Sequence, residues 1–350
     1  MANKTIFALS TASGKAGIAI VRVSGNKAFD IAEALSGSLP EPRRAVFRNL
    51  KYNQVLIDQA IVICFKANNS YTGEDMVEFQ VHGSNAVLAD LFEILSNKFD
   101  LSMAGPGEFT KKALENGRMD LSQVEGLGDL IEAETKSQQI QSLRSLTGTV
   151  GNKTNEWRDL ILQALALTEI MIDFTDQEVP TNTSNEIDSV LVLLLKSLGE
   201  ELSRYRSSEL VRDGFDITII GKPNVGKSSL LNYIAGRERA IVSEIAGTTR
   251  DIIELSVDLK GYRVNFFDTA GIHETTDTIE LIGIDRAREK AKNSDMRLFL
   301  IENNDLIDSF HLDIGSDDLV FAAKSDLLKS SEMLGISGKT GDGVNEMLDM

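Results

Sequence analysis

A glycine-rich segment in the second half of the chain has the residue types and spacing that hold the phosphates of a nucleotide. It reads Gly221-Lys222-Pro223-Asn224-Val225-Gly226-Lys227-Ser228 and fits the pattern G-x-x-x-x-G-K-[ST]. Its glycines let backbone N–H groups converge on phosphate oxygens, and a following helix adds the positive end of its dipole. Lys227 can reach the β- and γ-phosphates, and Ser228 can ligate Mg²⁺. A chance glycine turn is the alternative, but the flanking runs FDITIIG and SLLNYIAG predict the strand and helix that this motif requires.

Two further segments predict the rest of a phosphate and magnesium site. Asp268-Thr269-Ala270-Gly271 follows the strand-like run VNFF, so Asp268 can hold Mg²⁺ through water and Gly271 can offer its N–H to the γ-phosphate. Gly247-Thr248-Thr249-Arg250-Asp251 lies between the two motifs, and a threonine there can complete the Mg²⁺ shell. Either segment alone is a weak signal, but in this order and spacing they predict a GTPase.

The expected base-recognition segment departs from the usual Asn-Lys-x-Asp run. Ala323-Lys324-Ser325-Asp326 follows the strand-like run LVFA, so Asp326 can accept hydrogen bonds from guanine N1 and N2 while the Lys324 stem covers the ring. Ala323 replaces the asparagine, and the lost contact is expected to weaken binding by about 1–2 kcal/mol. Ser337-Gly338-Lys339 matches the last loop that contacts the base. For Asp326 the alternative is a solvated loop acid.

The residue that orients the attacking water is not obvious from the motifs. Ras-like proteins use a glutamine directly after Asp-x-x-Gly, but Ile272 stands there in this chain and an apolar side chain cannot orient water. Glu280, in the segment that follows, is one candidate. The alternative is that Glu280 is an exposed acid at the start of an acidic helix.

The segments around these motifs predict a multidomain α/β + α protein. Residues 1–120 predict an α+β domain, with strands at IFALS, GIAIVRVSG and QAIVICFKA and helices at FDIAEAL and NAVLADLFEILSNKF. Residues 121–212 contain three long helical patterns without evident caps and the turn-rich break TDQEVPTNTS, which predicts the first part of a helical domain. Residues 213–350 alternate strands and helices, which predicts a P-loop domain with a mostly parallel sheet.

Composition excludes several classes of protein. The 350 residues are 42% apolar and 25% charged, as in ordinary globular proteins, and the single Cys64 excludes intrachain disulfides. Cys64 lies in a predicted strand and is expected to be a small core residue. A formal net charge of −17 argues against broad nonspecific binding of polyanions. The N-terminus lacks the apolar core of a signal peptide, and no apolar run is long enough to span a bilayer, so a cytoplasmic location is expected.

Long strings of this sequence resemble the MnmE (TrmE) family of bacterial tRNA-modification GTPases over essentially the whole chain. In the first part they are GKAGIAIVRVSG, SYTGEDMVEFQVHG, GPGEFTKKALENGRMDLSQVEGLGDLI and DFTDQEVP. In the second part they are GKPNVGKSSLLNYIAGRERAIVSEIAGTTRD and DTAGIHETTDTIELIGIDRA.

The resemblance implies an activity that the composition does not indicate. It implies a GTP hydrolase that acts with the flavoprotein MnmG (GidA) on certain tRNAs and modifies C5 of the wobble uridine. The one-carbon unit would come from 5-formyl-tetrahydrofolate or a related folate, bound to an N-terminal domain that also forms the homodimer. The GTPase domains would pair across the dimer, with potassium supplying positive charge to phosphoryl transfer.

The resemblance also carries roles onto residues of this chain. Asn224 is implied as a potassium ligand, completed by oxygens of Ser243, Ile245 and Thr248. Ser228 and Thr249 match the Mg²⁺ ligands, and Glu280 matches the catalytic glutamate that acts with Lys227 and Gly271. Arg22, Glu78 and Arg118 match folate-binding positions, although they could instead be pairs that stabilise the fold. The full set of expected nucleotide-binding residues is Gly221, Asn224, Val225, Gly226, Lys227, Ser228, Ser229, Ser243, Glu244, Ile245, Ala246, Gly247, Thr248, Thr249, Asp268, Thr269, Ala270, Gly271, Lys324, Asp326, Ser337, Gly338 and Lys339.

Two departures from the family pattern leave alternatives open. The family continues with further helices and ends in a Cys-x-Gly-Lys tail, whereas this sequence ends at Met350, so a C-terminally short form with an incomplete helical domain is expected. This departure and Ala323 favour, as an alternative, a nucleotide-binding or dimerisation protein with impaired activity. An Era-like ribosome-assembly GTPase is less favoured because no K-homology loop or basic domain follows the GTPase part.

Overall fold

The chain forms two compact units, Met1–Glu125 and Gly126–Met350. The computed structural model describes residues 4–173, 183–241, 255–268, 289–302, 314–316, 318–327 and 333–350. The predicted fold class is confirmed: an α+β first part is followed by long helices and then by a mostly parallel sheet. The division into three domains at residues 120 and 212 stays a prediction.

The first unit is built on a six-stranded sheet of order β3-β4-β5-β2-β1-β6. Neighbouring strands are antiparallel except β1 and β6, which are parallel. The strands predicted at IFALS, GIAIVRVSG and QAIVICFKA are confirmed as β1, β2 and β4. The strands are β1 Ile6–Leu9, β2 Ala16–Ser24, β3 Val46–Tyr52, β4 Val55–Phe65, β5 Met76–Gly83 and β6 Ser102–Met103.

Helices cover this sheet because apolar residues recur along them at helical spacing. Helix α1 (Ala28–Ser36) buries Ile31 and Leu35, and α2 (Asn85–Glu93) continues into one π-helical turn. Helix α3 (Glu108–Glu115) follows the loop after β6. Cys64 lies in the same core, 1% exposed, where burial raises the pKa of its thiol to about 11, so it is the small core residue that the sequence predicts.

A buried ion pair braces the first unit between α3 and the segment before β5. Lys112 Nζ lies 2.8 Å and 2.9 Å from the two carboxylate oxygens of Glu74, and both side chains are at most 10% exposed. Ser24 Oγ donates to Glu74 Oε2 at 2.9 Å, and Lys112 also donates to the carbonyl of Lys4 at 3.1 Å. Both charges are thus desolvated, and the cost of burying each one is offset by its attraction to the other.

Helices α4 to α7 follow α3 in the chain. The sequence pattern at residues 121–146 predicts one helix without caps, but the structure has two, because α4 ends at Glu132 and α5 begins at Lys136. Thr135 caps α5: its hydroxyl accepts from the Gln138 N–H while the Gln138 side chain accepts from the Thr135 N–H. The helices are α4 Leu121–Glu132, α5 Lys136–Leu146, α6 Thr149–Asp173 and α7 Thr183–Asp213.

Helices α6 and α7 pack against each other and leave apolar side chains in solvent. Ala164, Val190 and Leu194 are buried, but Ile172 and Leu202 are 65% and 75% exposed. The described parts of both helices therefore carry apolar surface that their packing against each other does not cover. No described helix is long and apolar enough to cross a membrane.

The second unit contains a seven-stranded sheet of order β13-β12-β11-β7-β10-β9-β8. The pairings from β13 to β10 are all parallel, and β9 and β8 add an antiparallel edge. The strands are β7 Phe215–Gly221, β8 Arg239–Ala240, β9 Leu255–Leu259, β10 Tyr262–Asp268, β11 Met296–Ile301, β12 Leu319–Ala323 and β13 Gly335–Ile336. Helices α8 (Lys227–Arg237) and α9 (Val344–Asp349) bury Leu230 and Met347 in its core.

The compact sequence between Leu300 and Ala322 predicts that one helix flanking this sheet is missing or vestigial, and this stays a prediction. Residues 303–313 and 317 lie outside the described residues. The predicted strands at FDITIIG, VNFF and LVFA are confirmed as β7, the end of β10 and β12.

We expect Lys112→Met to destabilise the first unit by about 3–5 kcal/mol, because it leaves the Glu74 carboxylate buried without its cation. Hydrogen exchange of β5 amides in the full chain measures this change. Lys111→Met is the matched control, since Lys111 is 71% exposed and lies 3.9 Å from Glu115. The control should change stability by about 0.5 kcal/mol or less. Equal exchange rates in the two variants would contradict a stabilising role for the buried pair.

Candidate nucleotide site

The turn between β7 and α8 has the backbone geometry of a phosphate-binding loop. Gly226 caps α8 with φ of 118° and Asn224 has φ of 62°, both in the left-handed region. Its N-cap residue Gly226 has no side chain to cap the helix, so the N–H groups of the first turn are available for an anion. A Cβ at Gly221 would lie 2.8 Å from the carbonyl oxygen of Leu300, so only glycine fits where β7 enters the loop.

Lys227, Ser228 and Asp268 meet at the carboxyl ends of β7 and β10. Lys227 Nζ donates to the carbonyl oxygens of Gly221 at 3.0 Å and Lys222 at 3.3 Å, and lies 3.7 Å from Asp268 Oδ1. Ser228 Oγ donates to Asp268 Oδ2 at 3.2 Å. The structure therefore brings together three of the residues that the two separate motifs predict.

Asp268 is suited to bind a hard cation. Its Oδ1 is buried and accepts no hydrogen bond from the described residues. Burial raises the pKa of this carboxyl above its usual value, and the charge of Lys227 and the Ser228 hydroxyl partly oppose that shift. A buried acceptor without a donor is costly. Because Mg²⁺ prefers oxygen ligands, the Ser228 hydroxyl and the Asp268 carboxylate fit the predicted magnesium site.

A cavity of about 230 Å³ lies beside the phosphate loop, at the edge where β7, β11 and β12 end. Ser337 Oγ donates to Asp326 Oδ1 at 2.7 Å, which orients the carboxylate. The same hydroxyl accepts from the N–H groups of Lys339 and Thr340. The lining includes Asn224, Val225, Gly226, Ser229, Lys324, Asp326, Ser337, Gly338 and Lys339.

Ala323 does not line that cavity. It is 3% exposed and belongs to the apolar cluster below the sheet edge. Lys324, which follows it, has φ of 57° and forms an ion pair with Glu302. The Lys324–Glu302 and Ser337–Asp326 contacts thus hold the base loop without an asparagine. Sequence reasoning missed Glu302, and no motif in the sequence indicates it.

Several predicted site residues lie outside the described residues, and their roles stay predictions. In the segment after β8 they are Ser243, Glu244, Ile245, Ala246, Gly247, Thr248 and Thr249. After β10 they are Thr269, Ala270, Gly271 and Glu280, with Ile272.

The first unit brings two of its three predicted site residues into direct contact. Arg22 and Glu78 face each other across β2 and β5, and Arg22 Nε and Nη2 lie 3.0 Å and 2.8 Å from Glu78 Oε1. The guanidinium also lies over the rings of Tyr71 and Phe109, at 5.2 Å and 5.4 Å from their centres. Sequence reasoning missed both aromatic residues, although each falls in a string that carries the family resemblance.

Arg118 forms no hydrogen bond or ion pair with Glu78 in the part of the chain that the structure describes. Arg118 packs against Gly73, because a Cβ added at Gly73 would lie only 3.1 Å from Arg118 Cγ. The Arg118 backbone N–H donates to the Ala113 carbonyl oxygen at 2.8 Å. Gly73 has φ of 81°, so the turn after Tyr71 requires glycine both for its conformation and for the approach of Arg118.

Comparison with known sequences gives two family matches. The family described as GTP-binding protein TrmE N-terminus matches residues 5–118, and the family described as MnmE helical domain matches residues 121–350.

Individual relatives agree with these matches. The tRNA modification GTPase MnmE of Dinoroseobacter shibae is 48% identical over 345 residues, which are 98% of this chain and 80% of that protein. The protein of the same name from Roseobacter denitrificans is 47% identical over 346 residues, again 80% of its length. Among solved structures, the FeoB G-domain from Methanococcus jannaschii is 22% identical and covers 39% of this chain and 93% of that chain. Its TM-score of 0.29 is too low to support an argument.

We expect Gly338→Ala to lower the free energy of unfolding by about 1–3 kcal/mol, because of overpacking. The new Cβ would lie 2.3 Å from the Leu230 nitrogen inside α8, where the backbone cannot withdraw easily. Urea unfolding of the full chain, followed by circular dichroism, measures the change. Gly236→Ala is the control, since nothing lies within 4 Å of that position, and it should raise stability by up to about 1 kcal/mol. Equal effects of the two substitutions would contradict the packing argument.

Proposed function

Because this chain belongs to the MnmE family of tRNA modification GTPases, we propose that it binds and hydrolyses GTP and acts in tRNA modification. The observation that carries the proposal is the arrangement of one phosphate loop beside one base-sized cavity. Lys227, Ser228 and Asp268 lie at one end, and the Asp326–Ser337 pair lies at the other.

The phosphate end performs binding and charge neutralisation. Backbone N–H groups of the loop and the first turn of α8 hold the β- and γ-phosphates. Lys227 exchanges its contacts with the Gly221 and Lys222 carbonyls for phosphate oxygens. Ser228 and Asp268 would hold Mg²⁺, which when bound supplies positive charge to the transferring phosphoryl group.

The base end selects guanine. The Asp326 carboxylate accepts from the guanine N1 and N2 groups, and its Oδ1 is already held by Ser337. The stem of Lys324 covers the base while its ammonium stays paired with Glu302. Ala323 has no side-chain amide to contact the base, so guanine is selected by Asp326 and by the backbone of the Ser337–Lys339 loop.

The finer activity of the family belongs to the same proposal. We infer potassium stimulation, with Asn224 as the side-chain ligand among the described residues and Ser243, Ile245 and Thr248 completing the site. Glu280 orients the attacking water. The left-handed backbone of Asn224 and its place in the cavity wall support the ligand role.

The first unit is proposed to bind a folate and to form the homodimer. Glu78 suits the N–H edge of a pterin, and the Arg22 guanidinium, with Nη2 2.8 Å from Glu78 Oε1, would hold that carboxylate in place. The rings of Tyr71 and Phe109, which hold the Arg22 guanidinium, support a site for a flat polar ligand. Together with MnmG, the chain would use the folate-derived carbon to modify C5 of the wobble uridine.

A nucleotide-binding or dimerisation protein with impaired turnover is the second candidate. The burial of Ala323 in the apolar cluster favours it, because a base-contacting amide is lacking. Strong retention of GDP together with GTP hydrolysis would exclude this candidate.

We expect Asp326→Asn to weaken GDP binding by about 10- to 150-fold and to strengthen binding of xanthosine diphosphate. The side-chain amide of the variant keeps one acceptor oxygen, so the loss is that of one hydrogen bond to a charged group, about 1.5–3 kcal/mol. Binding of fluorescent GDP and xanthosine diphosphate to the full chain measures the exchange. Asp159→Asn is the control, since Asp159 is 77% exposed on α6. A loss of affinity for both nucleotides alike would contradict base reading by Asp326.

We expect GTP hydrolysis to be faster in KCl than in NaCl, because a potassium ion adds positive charge at the phosphates. Asn224→Ala should lower the response to potassium, measured as the ratio of the rates in the two salts, by about tenfold or more. Phosphate release at matched ionic strength measures both effects. Equal rates of the unmodified chain in the two salts would overturn potassium stimulation.

A further inference from the structure

A buried asparagine joins the start of β10 to the start of β7. Asn265 is 4% exposed, and both ends of its amide are used. Its Nδ2 donates to Asp216 Oδ1 at 2.9 Å and to the Asp213 carbonyl at 3.3 Å. Its Oδ1 accepts from Ser256 Oγ at 2.7 Å and from Arg263 Nε at 3.1 Å. A buried amide with all these bonds made fixes the local geometry, since any shift leaves a polar group unpaired.

Arg263 extends this network to the long helices. Its Nη1 lies 3.2 Å from Glu134 Oε2, in the segment that caps α5. The backbone adds a second link, because the Ser137 N–H donates to the Gly261 carbonyl at 3.0 Å. Gln138 Nε2 in turn donates to the Arg212 carbonyl at the end of α7. The first turn of α5 is therefore held on the turn that leads into β10.

Hydrogen bonds and one ion pair link the two sides of this junction. It borders an open cavity of about 340 Å³, whose lining includes Asp129, Arg212, Arg263 and Asn265. A contact that rests on a few hydrogen bonds around a cavity changes more easily than a close-packed one. The Glu134–Arg263 pair, with side chains 36% and 24% exposed, is the part of the network that a substitution can remove with the least damage to folding.

The other end of β10 is Asp268, three residues beyond Asn265 and about 10 Å along the strand. Strand β10 pairs with β7 from Val264 to Asp268 without a register shift, and β7 ends in the phosphate loop. Asn265 and the Asp268 carboxylate that faces Lys227 and Ser228 therefore belong to one continuously paired stretch of β10, through which a displacement at Asn265 can reach Asp268.

We infer that Arg263 and Asn265 are positioning residues through which the long helices hold β10, and with it the Asp268 carboxylate, in the place that magnesium-dependent nucleotide binding requires. The inference rests on the proposed function, because it assigns Asp268 to that metal. It predicts a linkage: contacts of Glu134 at the start of α5 and Mg²⁺ affinity at Asp268 change together.

The test uses Arg263→Gln in the full chain and a fluorescent, non-hydrolysable GTP analogue at increasing Mg²⁺. The Mg²⁺ concentration at half-saturation should rise by about two- to thirty-fold. Binding of fluorescent GDP in EDTA should be unchanged, because the base cavity is not altered. In the nucleotide-free chain, hydrogen exchange at Ser137 and along β10 should become faster.

Two variants separate positioning from general loss of stability. Arg204→Gln removes an exposed arginine of α7 that pairs with Glu201 at 3.5 Å, and should leave the Mg²⁺ requirement unchanged. Glu134→Gln removes the charge that pairs with the Arg263 guanidinium and leaves the Arg263–Asn265 hydrogen bond in place, and it should raise half-saturation in the same direction as Arg263→Gln.

Several results would overturn the inference. An unchanged Mg²⁺ requirement in Arg263→Gln would do so, as would an equal loss of binding in EDTA and in Mg²⁺, or an unchanged Mg²⁺ requirement in Glu134→Gln. If the unmodified chain binds no guanine nucleotide, the proposed function fails first, and unchanged exchange at Ser137 and β10 then rejects the positioning role independently.

Discussion

The parallel pairing of β7 and β10 is the constraint on which the second unit depends. The two strands lie side by side from Phe215 and Val264 onward, and they end in the phosphate loop and in Asp268. Parallel strands bring their carboxyl ends to one edge of a sheet, where groups far apart in sequence can act together. Lys227, Ser228 and Asp268 meet for this reason, and the start of the same two strands is where the long helices attach.

Charged groups serve two different purposes in the two units. In the first unit, Glu74 and Lys112 are desolvated and neutralise each other, so their pair contributes to the fold and leaves no group for a ligand. In the second, Asp268 keeps one buried oxygen without a hydrogen-bond donor among the described residues. A buried acceptor of this kind weakens the empty protein and favours binding of a cation. The Arg22–Glu78 pair shares features of both, because its charges neutralise each other but it is partly exposed to solvent and lies beside an aromatic ring.

Much of the architecture follows from local patterns that the sequence displays directly. Strands with alternating or continuous apolar residues, and the glycines of the phosphate loop, lie where their patterns indicate. The break before α5 was predictable too, because Thr135 and Gln138 have the spacing of a capping box, but the long helical pattern around them hides it. The aromatic rings over Arg22 and the Glu302 partner of Lys324 were not predictable, since each depends on a contact between distant segments.

The sequence by itself determined the chemistry that the chain can perform. Its motif at residues 221–228, its acids at Asp268 and Asp326, and its family strings specify which groups are present and in what order. Only the tertiary structure decided which of them act together. It turned the Ser337 hydroxyl toward Asp326, buried Ala323 away from the base cavity, and joined Asn265 to Asp216. The physical reason is that motif residues need only local backbone conformation, whereas their partners come from strand register and packing, which arise when the whole unit folds.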